Sequence, residues 1–500
     1  MRKAFQRLAV SLAVLLLATG GCFGQPGISL AEDTQQTADQ QVKFIAPTLS
    51  SDAPAYDETH PENLTEDQLY AKSAILIEAS TGEVIFEKNA DELMYPASTT
   101  KIMTTYLGLT MGDMNATVTM DDTSANVPSD SSTIPLSVGE TINFQDLLYA
   151  TMVRSGNEGA NLIAETISGN MNDFVDLMNQ TAVSLGCTAT HFANANGLHD
   201  DNHYTTARDM SKIALAAMKN ETFRSIANTY TYRLPKSNLQ RSRVLIGNKD
   251  NWLNSSEDNP YYYPYANGIK TGYHARAGYC YIGSAEKDGV SLISVVLYTT
   301  NTGRWTDSKK LMEYGFSQFE SVTPVDLYNM NPTVVETTGY SMEDEDIGRL
   351  QLDIQPIGDT RTVNIVATKT EVESIARNLK QSVLIDYTRS NFATPVTKGE
   401  VFGTMTYYPS DGGSAITYEL IASRSIARRE NAPKSIEEIE SATYADPNPF
   451  PPFSVEMAVL VSLPFALLFG LIRLLMRLFH KGPKRGKKSR VPKPNSRYFR

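Results

Sequence analysis

Cysteine, tryptophan and histidine are scarce in this chain of 500 residues: three, two and six. The three cysteines, Cys22, Cys187 and Cys280, are too few for a disulfide framework. Cys22 falls in a segment read below as removed. A Cys187–Cys280 bond is the one pairing left, and a count alone never fixes pairing. The histidines form no H-E-x-x-H, and no serine sits in G-x-S-x-G. A zinc protease of that type and an α/β-hydrolase triad therefore lack their signatures. His199 and His203, in "HDDNH", have a spacing a metal accepts, but a polar loop before a helix is the favoured account. No repeat of fixed period occurs, and long apolar runs are confined to the two ends. At 41% hydrophobic and 20% charged, the body reads as globular.

Charge is also missing where a nucleic-acid binder needs it. The last twenty residues carry nine basic groups and no acidic one, so without them the net charge falls from −11 to about −20. An acidic body with a basic tail excludes nucleic acid as the expected partner. At the start, Arg2, Lys3 and Arg7 precede an apolar core from Leu8 to Ala18, followed by small residues. That layout predicts a secretory signal peptide over residues 1–24. The competing reading is a lipoprotein signal with Cys22 lipidated, although Thr19 stands where such signals carry an aliphatic residue. At the other end, Met457 to Ile472 is sixteen residues without a charge, short of the ~20 needed to span a bilayer. Extension to residues 455–479 includes Arg473 and Arg477, which share a helix face and reach the interface. A membrane helix is predicted there over a flat amphipathic one, with the basic tail inside and the body outside.

Between the ends, the texture divides the chain. Residues 25–70 read as a flexible spacer. From Ala71, two alternating runs flank "STG" as a hairpin. Helical periodicity follows after Ser98, around Phe144 to Met152, around Ala160 to Ile167, and in "TTARDMSKIALAAMKN" behind a threonine cap. "NGIKTGYHARAGYCYIGSAEKDGVSLISVVLYTT" reads as strand, turn and strand, and "SKKLMEYGFSQFESV" as a closing helix. The expected domains are an α/β body over 71–321, a small β-rich domain over 322–428 and a linker over 429–454. Residues 455–479 are the membrane helix and 480–500 the tail.

Three short elements carry the chemistry. "YPASTTKIMTTYL" holds Ser98 and Lys101, one helical turn apart and so on one face. Taken alone, Ser98 reads as a helix cap. Ser155-Gly156-Asn157 follows the helix ending "YATMVR". Lys270-Thr271-Gly272 opens a strand. A serine hydroxyl needs a neighbour to take its proton, and a lysine can do so only when neutral. Burial and a second positive charge, here Lys270, favour the neutral amine. A helix start at Ser98 aims backbone N–H groups at an attacked carbonyl. A strand with K-T-G offers an edge for an extended peptide, and Gly272 leaves room for it.

The order S-x-x-K, S-x-N, K-T-G matches penicillin-binding proteins and serine β-lactamases. The chain further resembles the D-alanyl-D-alanine carboxypeptidases among the low-molecular-weight penicillin-binding proteins. The likeness runs through "GEVIFEKNADELMYPASTTKIMT", "SGNEGANLIAE", "FANANGLHDDNHYTTARDM", "NGIKTGYHARAGYC", "SKKLMEYGF" and "VTKGEVFGTM". It implies an α/β/α sandwich with an antiparallel sheet and a helical subdomain, then a small β-rich domain and a C-terminal membrane helix. It implies no cofactor and no metal. Its partners would be peptidoglycan stem peptides ending in D-Ala-D-Ala, with β-lactams as inhibitors. By the resemblance, Ser98 is acylated, Lys101 is the base and Ser155 relays protons. Asn157 meets the substrate amide, Lys270, Thr271 and Arg304 serve its carboxylate, and the N–H groups of Ser98 and Tyr273 form the oxyanion hole.

Two departures stand out. Glu158-Gly159 replaces the common Asp-Ala after Asn157. His274 stands two residues beyond K-T-G, where Thr or Ser is usual, and is expected on the face of Gly272, titrating near neutrality unless perturbed. A class A β-lactamase lacks support, since no E-x-x-L-N lies between Asn157 and Lys270. A penicillin-binding sensor without turnover is opposed by the intact Ser98, Lys101, Ser155 and Lys270.

Overall fold

The computed structural model describes residues 48–430, apart from 246–247, 359–362, 390 and 409–413, together with Leu463 and residues 466–476. These divide into two compact units. The first holds the described residues up to Asn331 and those between 361 and 380.

Its centre is a five-stranded sheet. Strands β1 (Ser73–Glu78) and β2 (Val84–Lys88) form the expected hairpin. The buried Glu78 holds its turn by accepting from Ser80 N at 2.9 Å and Thr81 N at 2.7 Å. Strands β3 (Ala266–His274), β4 (Gly278–Lys287) and β5 (Val290–Thr299) complete the antiparallel order β2-β1-β5-β4-β3. The segment read as two strands therefore folds as three. β4 and β5 are joined at Asp288-Gly289, both with positive φ, the two-residue hairpin turn that an Asp-Gly pair favours.

Period two explains the layers. Ile75 and Ile77 of β1, with Ile293, Val295 and Leu297 of β5, face one core. Ala74 and Leu76, with Leu292 and Val296, face the other. On the first face lie helices α1 (Lys101–Met111), α2 (Phe144–Arg154), α3 (Asn157–Ser168), α4 (Met171–Ser184) and α5 (Ala207–Met218). Side chains start three of them: Asn143, Asn170 and Thr206 each accept from a backbone N–H of the first turn. On the second face, α6 (Gly303–Gln318) packs on β4 and β5 through Trp305, Leu311 and Met312. This is the helix–sheet–helix layering expected of the body.

Several expectations are corrected. The end of the supposed spacer is ordered: Pro61–Asn63 and Glu66–Gln68 form short 3-10 turns, and Leu64 and Leu69 are buried in the second core. In the region read as β-rich, Lys369–Ser382 is a helix, with Val372, Ala376 and Leu379 buried along one stripe. The Cys187–Cys280 pairing, which the sequence left open, does not form: both cysteines are free and buried, and burial pushes each thiol up to about 12.

The second unit holds the described residues 332–360 and those from 381 onward. It is built on an antiparallel sheet of Val334–Glu336, Arg349–Pro356, Ile416–Ala422, Val401–Tyr407 and Val383–Tyr387, in that order. Leu350, Leu352, Phe402, Met405 and Leu420 are its buried face. No helix among the described residues is long and apolar enough to cross a membrane. The signal peptide, Cys22, the linker, the basic tail and most of residues 455–479 lie outside the described residues. Residues 466–476 are helical, with Leu467, Leu468 and Phe469 exposed.

Candidate active site

Ser98 lies in a 3-10 turn, Ala97–Thr100, that runs directly into α1. It is the N-cap of neither element, since Pro96 and Thr100 hold those positions, and its Oγ faces Lys101 instead. The preceding Ala97 has φ of +48°, a left-handed conformation unusual for a residue with a side chain. Three contacts hold that turn. Thr100 Oγ1 donates to Ala97 O at 2.8 Å, and His203 Nε2 meets Thr100 Oγ1 at 2.8 Å. Gly197, at φ +82°, lies so close that a Cβ would sit 2.0 Å from Ala97 O.

Lys101 follows by one turn and is fully buried. Its Nζ lies 3.1 Å from Ser98 Oγ, 2.7 Å from Asn157 Oδ1 and 2.5 Å from Asn196 O. A neutral amine has two N–H groups and one lone pair. The two carbonyl oxygens take the N–H groups, which leaves the lone pair for the proton of Ser98. Burial first, and the charge of Lys270 second, hold the Lys101 ammonium well below the usual lysine range. Glu158, buried in the first turn of α3, is the carboxylate that works against that shift. Its own carboxyl is pushed up to about 7 by burial.

Ser155 occupies the break between α2 and α3 at φ +56°, buried, with Gly156 and Asn157 completing the motif. A Cβ on Gly156 would meet Ile134 Cγ1 at 2.4 Å, so the tight break demands glycine. Lys270, Thr271 and Gly272 lie on β3, which pairs only with β4 and leaves its other edge free within the sheet. That edge passes the nucleophile turn closely: a Cβ on Gly272 would lie 2.8 Å from Pro96 O and 3.2 Å from Ser98 N. Lys270 is buried, and desolvation, then the charge of Lys249, lowers it to about 7. Tyr273 is exposed and stacks on Tyr279 at 4.3 Å.

Ser98, Lys101, Asn157 and the K-T-G strand are thus brought together. Arg304, in the first turn of α6, is engaged elsewhere at its guanidinium. It donates to Asn301 Oδ1 at 2.9 Å and lies over the rings of Tyr279 and Trp305 at 4.9 and 4.5 Å. Its charge nonetheless bears on Lys270. His274 is correctly at the end of β3, with His199 at 5.3 Å and Tyr95 at 6.1 Å between ring centres. Burial pushes it down to about 4, so the titration expected near neutrality is displaced. His199 and His203 do not converge: His199 pairs with Asp201 at 3.2 Å, whereas buried His203 serves Thr100. No cluster of three or more metal-ligating side chains occurs among the described residues.

Reasoning from sequence missed Asn196, Lys249 and Asp250. Asn196 acts through its carbonyl, which no residue type announces. Lys249 and Asp250 reach the site from a long loop before β3. Asp250 is buried, accepts from Tyr281 Oη at 3.1 Å, and is raised to about 6 by burial.

Residues 59–301 match the D-alanyl-D-alanine carboxypeptidase family, peptidase S11. The D-alanyl-D-alanine carboxypeptidase DacF of Bacillus subtilis is 30% identical over 370 residues, 73% of this chain and 86% of that protein. The chain belongs to the D-alanyl-D-alanine carboxypeptidase family. It is a serine-type carboxypeptidase of peptidoglycan metabolism. The carboxypeptidase DacA of Escherichia coli K12 is 30% identical over 351 residues, 68% of this chain and 80% of its own length. Among solved structures, the Streptomyces K15 DD-transpeptidase aligns at 31% identity and a TM-score of 0.47, over 51% of this chain and 99% of that one. A Cβ on Gly159 would lie 2.4 Å from Thr151 Oγ1 and 2.5 Å from Ile134 Cδ1, so a larger residue there would have to shift those two side chains.

Proposed function

We propose that Ser98 is the acylated nucleophile, that Lys101 is its general base, and that the substrate is a stem peptide ending in D-Ala-D-Ala. The observation that carries this is the buried Lys101 Nζ, 3.1 Å from Ser98 Oγ and with its two N–H groups already spoken for. The peptide lies along the free edge of β3, its terminal carboxylate served by Lys270 and Thr271 with support from the charge of Arg304. Gly272 gives the close approach. Asn157 meets the substrate amide. As Ser98 Oγ attacks the penultimate carbonyl, Lys101 takes its proton, and the N–H groups of Ser98 and Tyr273 hold the developing oxyanion. The peptide bond then breaks. The terminal D-alanine leaves as an amine with a proton relayed through Ser155, and an ester remains on Ser98. Water attacks the ester, releases the shortened stem and restores the serine. A β-lactam follows the first half of this route, its ring amide opening to the ester.

The same reading holds the chain at the cytoplasmic membrane by residues 455–479, after removal of residues 1–24, with the catalytic unit outside. It rests on the apolar run and the basic tail. Incubation with a pentapeptide ending in D-Ala-D-Ala, followed by mass spectrometry, tests the reaction. The expected products are the tetrapeptide and free D-alanine. A labelled penicillin that attaches while the pentapeptide stays intact would reduce the protein to a binder.

A further inference from the structure

A cavity of about 600 Å³ opens on the α6 side of the first unit, within the size range of ligand sites. It contains none of the residues assigned to the reaction. Tyr56, Tyr70, Tyr261 and Tyr262 line it, with Trp252 and Trp305 behind them. Two of the rings are fixed: Lys310 Nζ lies 5.2 Å from the Tyr56 ring centre and 5.8 Å from that of Tyr70.

The charges at the cavity are already engaged. Lys309 faces Glu58 at 3.8 Å, and Lys310 donates to Gln68 O at 2.6 Å. Glu313 accepts from Tyr263 Oη at 2.8 Å. With two lysines and two glutamates the lining is neutral, which disfavours an anionic peptide terminus and a free cation alike. What remains is aromatic surface and neutral hydrogen-bonding groups. Among the described residues, Tyr56 Oη is buried without a hydrogen-bond partner, and Tyr262 is exposed at the rim. Ring faces are electron-rich and attract weakly positive C–H groups, while hydroxyls satisfy O–H and amide groups at the edges. A neutral, polyhydroxylated ring combines those two requirements.

We infer that this cavity is a glycan subsite that takes an uncharged stretch of N-acetylated sugar chain. The inference rests on the peptidoglycan reading above, since a stem peptide arrives attached to such a chain. Trp252 connects the cavity to the catalytic side: its backbone N–H donates to Asp250 Oδ1 at 3.1 Å, and Asp250 bears electrostatically on Lys270. Engagement of the glycan would hold the polymer on the enzyme while its stems are trimmed.

The chain carries its own reporter, because its two tryptophans, Trp252 and Trp305, both line the cavity. Peptide-free tetra-N-acetylchitotetraose titrated into the full chain is expected to give a saturable change in tryptophan emission. Tyr262→Ala, at an exposed ring, is expected to weaken that binding at least ~10-fold, about 1.4 kcal/mol. Tyr261→Leu, which keeps bulk but removes the aromatic face, is expected to do the same. Both variants should acylate with penicillin at the wild-type rate. Absence of binding by emission and by calorimetry at millimolar sugar would overturn the inference. So would binding that neither variant weakens, or a peptide-only probe that displaces the sugar. Loss of penicillin acylation in the wild-type chain would instead count against the active-site reading and leave the sugar titration to be judged separately.

Discussion

His203 shows how a single residue outside the reacting set shapes the site. It is buried, and its Nδ1 accepts from Ala193 N at 3.0 Å, which leaves the proton on Nε2 for Thr100. Thr100 in turn holds the carbonyl of Ala97, the strained residue before Ser98. Burial, then the charges of His274 and His191, pushes His203 down from 6.5 to about 3. Between those values the unfolded chain binds a proton that the folded chain refuses, so this residue costs stability as pH falls below 6.5 and the loss grows toward about 3. His203→Gln removes that component. Melting temperatures at neutral and mildly acidic pH are expected to fall more steeply for the wild type than for the variant. Parallel curves would show that His203 is not buried neutral. The same burial explains why His274 misled: the sequence places it beside the K-T-G strand but says nothing of the rings of Tyr95 and His199 packed against it.

At the scale of elements, the critical contact is between β3 and the turn that carries Ser98. Gly272→Ala places a methyl group 2.8 Å from Pro96 O, and backbone cannot yield there without moving the strand from the nucleophile. A displacement of that kind is expected to lower penicillin acylation by ~10²-fold while the melting temperature changes little. An unchanged acylation rate would mean that the edge of β3 is not aligned with Ser98. The elements were legible where a local signal marked them. The threonine cap at Thr206, the hairpin at Thr81-Gly82 and the period-two runs of β1 and β5 all speak through residue type. The β4–β5 turn carries a local signal as well, the Asp288-Gly289 pair of a two-residue hairpin. Two features carried no such signal. Helix Lys369–Ser382 has Thr, Val and Ile at positions that also suit a strand, and its stripe of Val372, Ala376 and Leu379 was read with the wrong period. The contribution of Asn196 is a backbone carbonyl, which sequence patterns do not encode.

At the scale of the whole molecule, the chain divides into a catalytic unit and a β-rich unit, and the membrane anchor proposed over residues 455–479 is tested by truncation. Deletion of the residues after Pro451 is expected to release a soluble chain that still acylates; a truncated chain that sediments with membranes would contradict the anchor, or point to lipid on Cys22. The central claim concerns the proton between Ser98 and Lys101, and the most direct measurement is the acylation rate with a fluorescent penicillin, taken with a melting curve for each variant. Ser98→Ala is expected to form no adduct and to remain folded. Lys101→Arg keeps a positive charge but cannot surrender its proton, so it is expected to lose ~10²–10⁴-fold, the usual loss for a general base. A stable adduct on Ser98→Ala, or a folded Lys101→Arg enzyme that acylates near the wild-type rate, would contradict the mechanism.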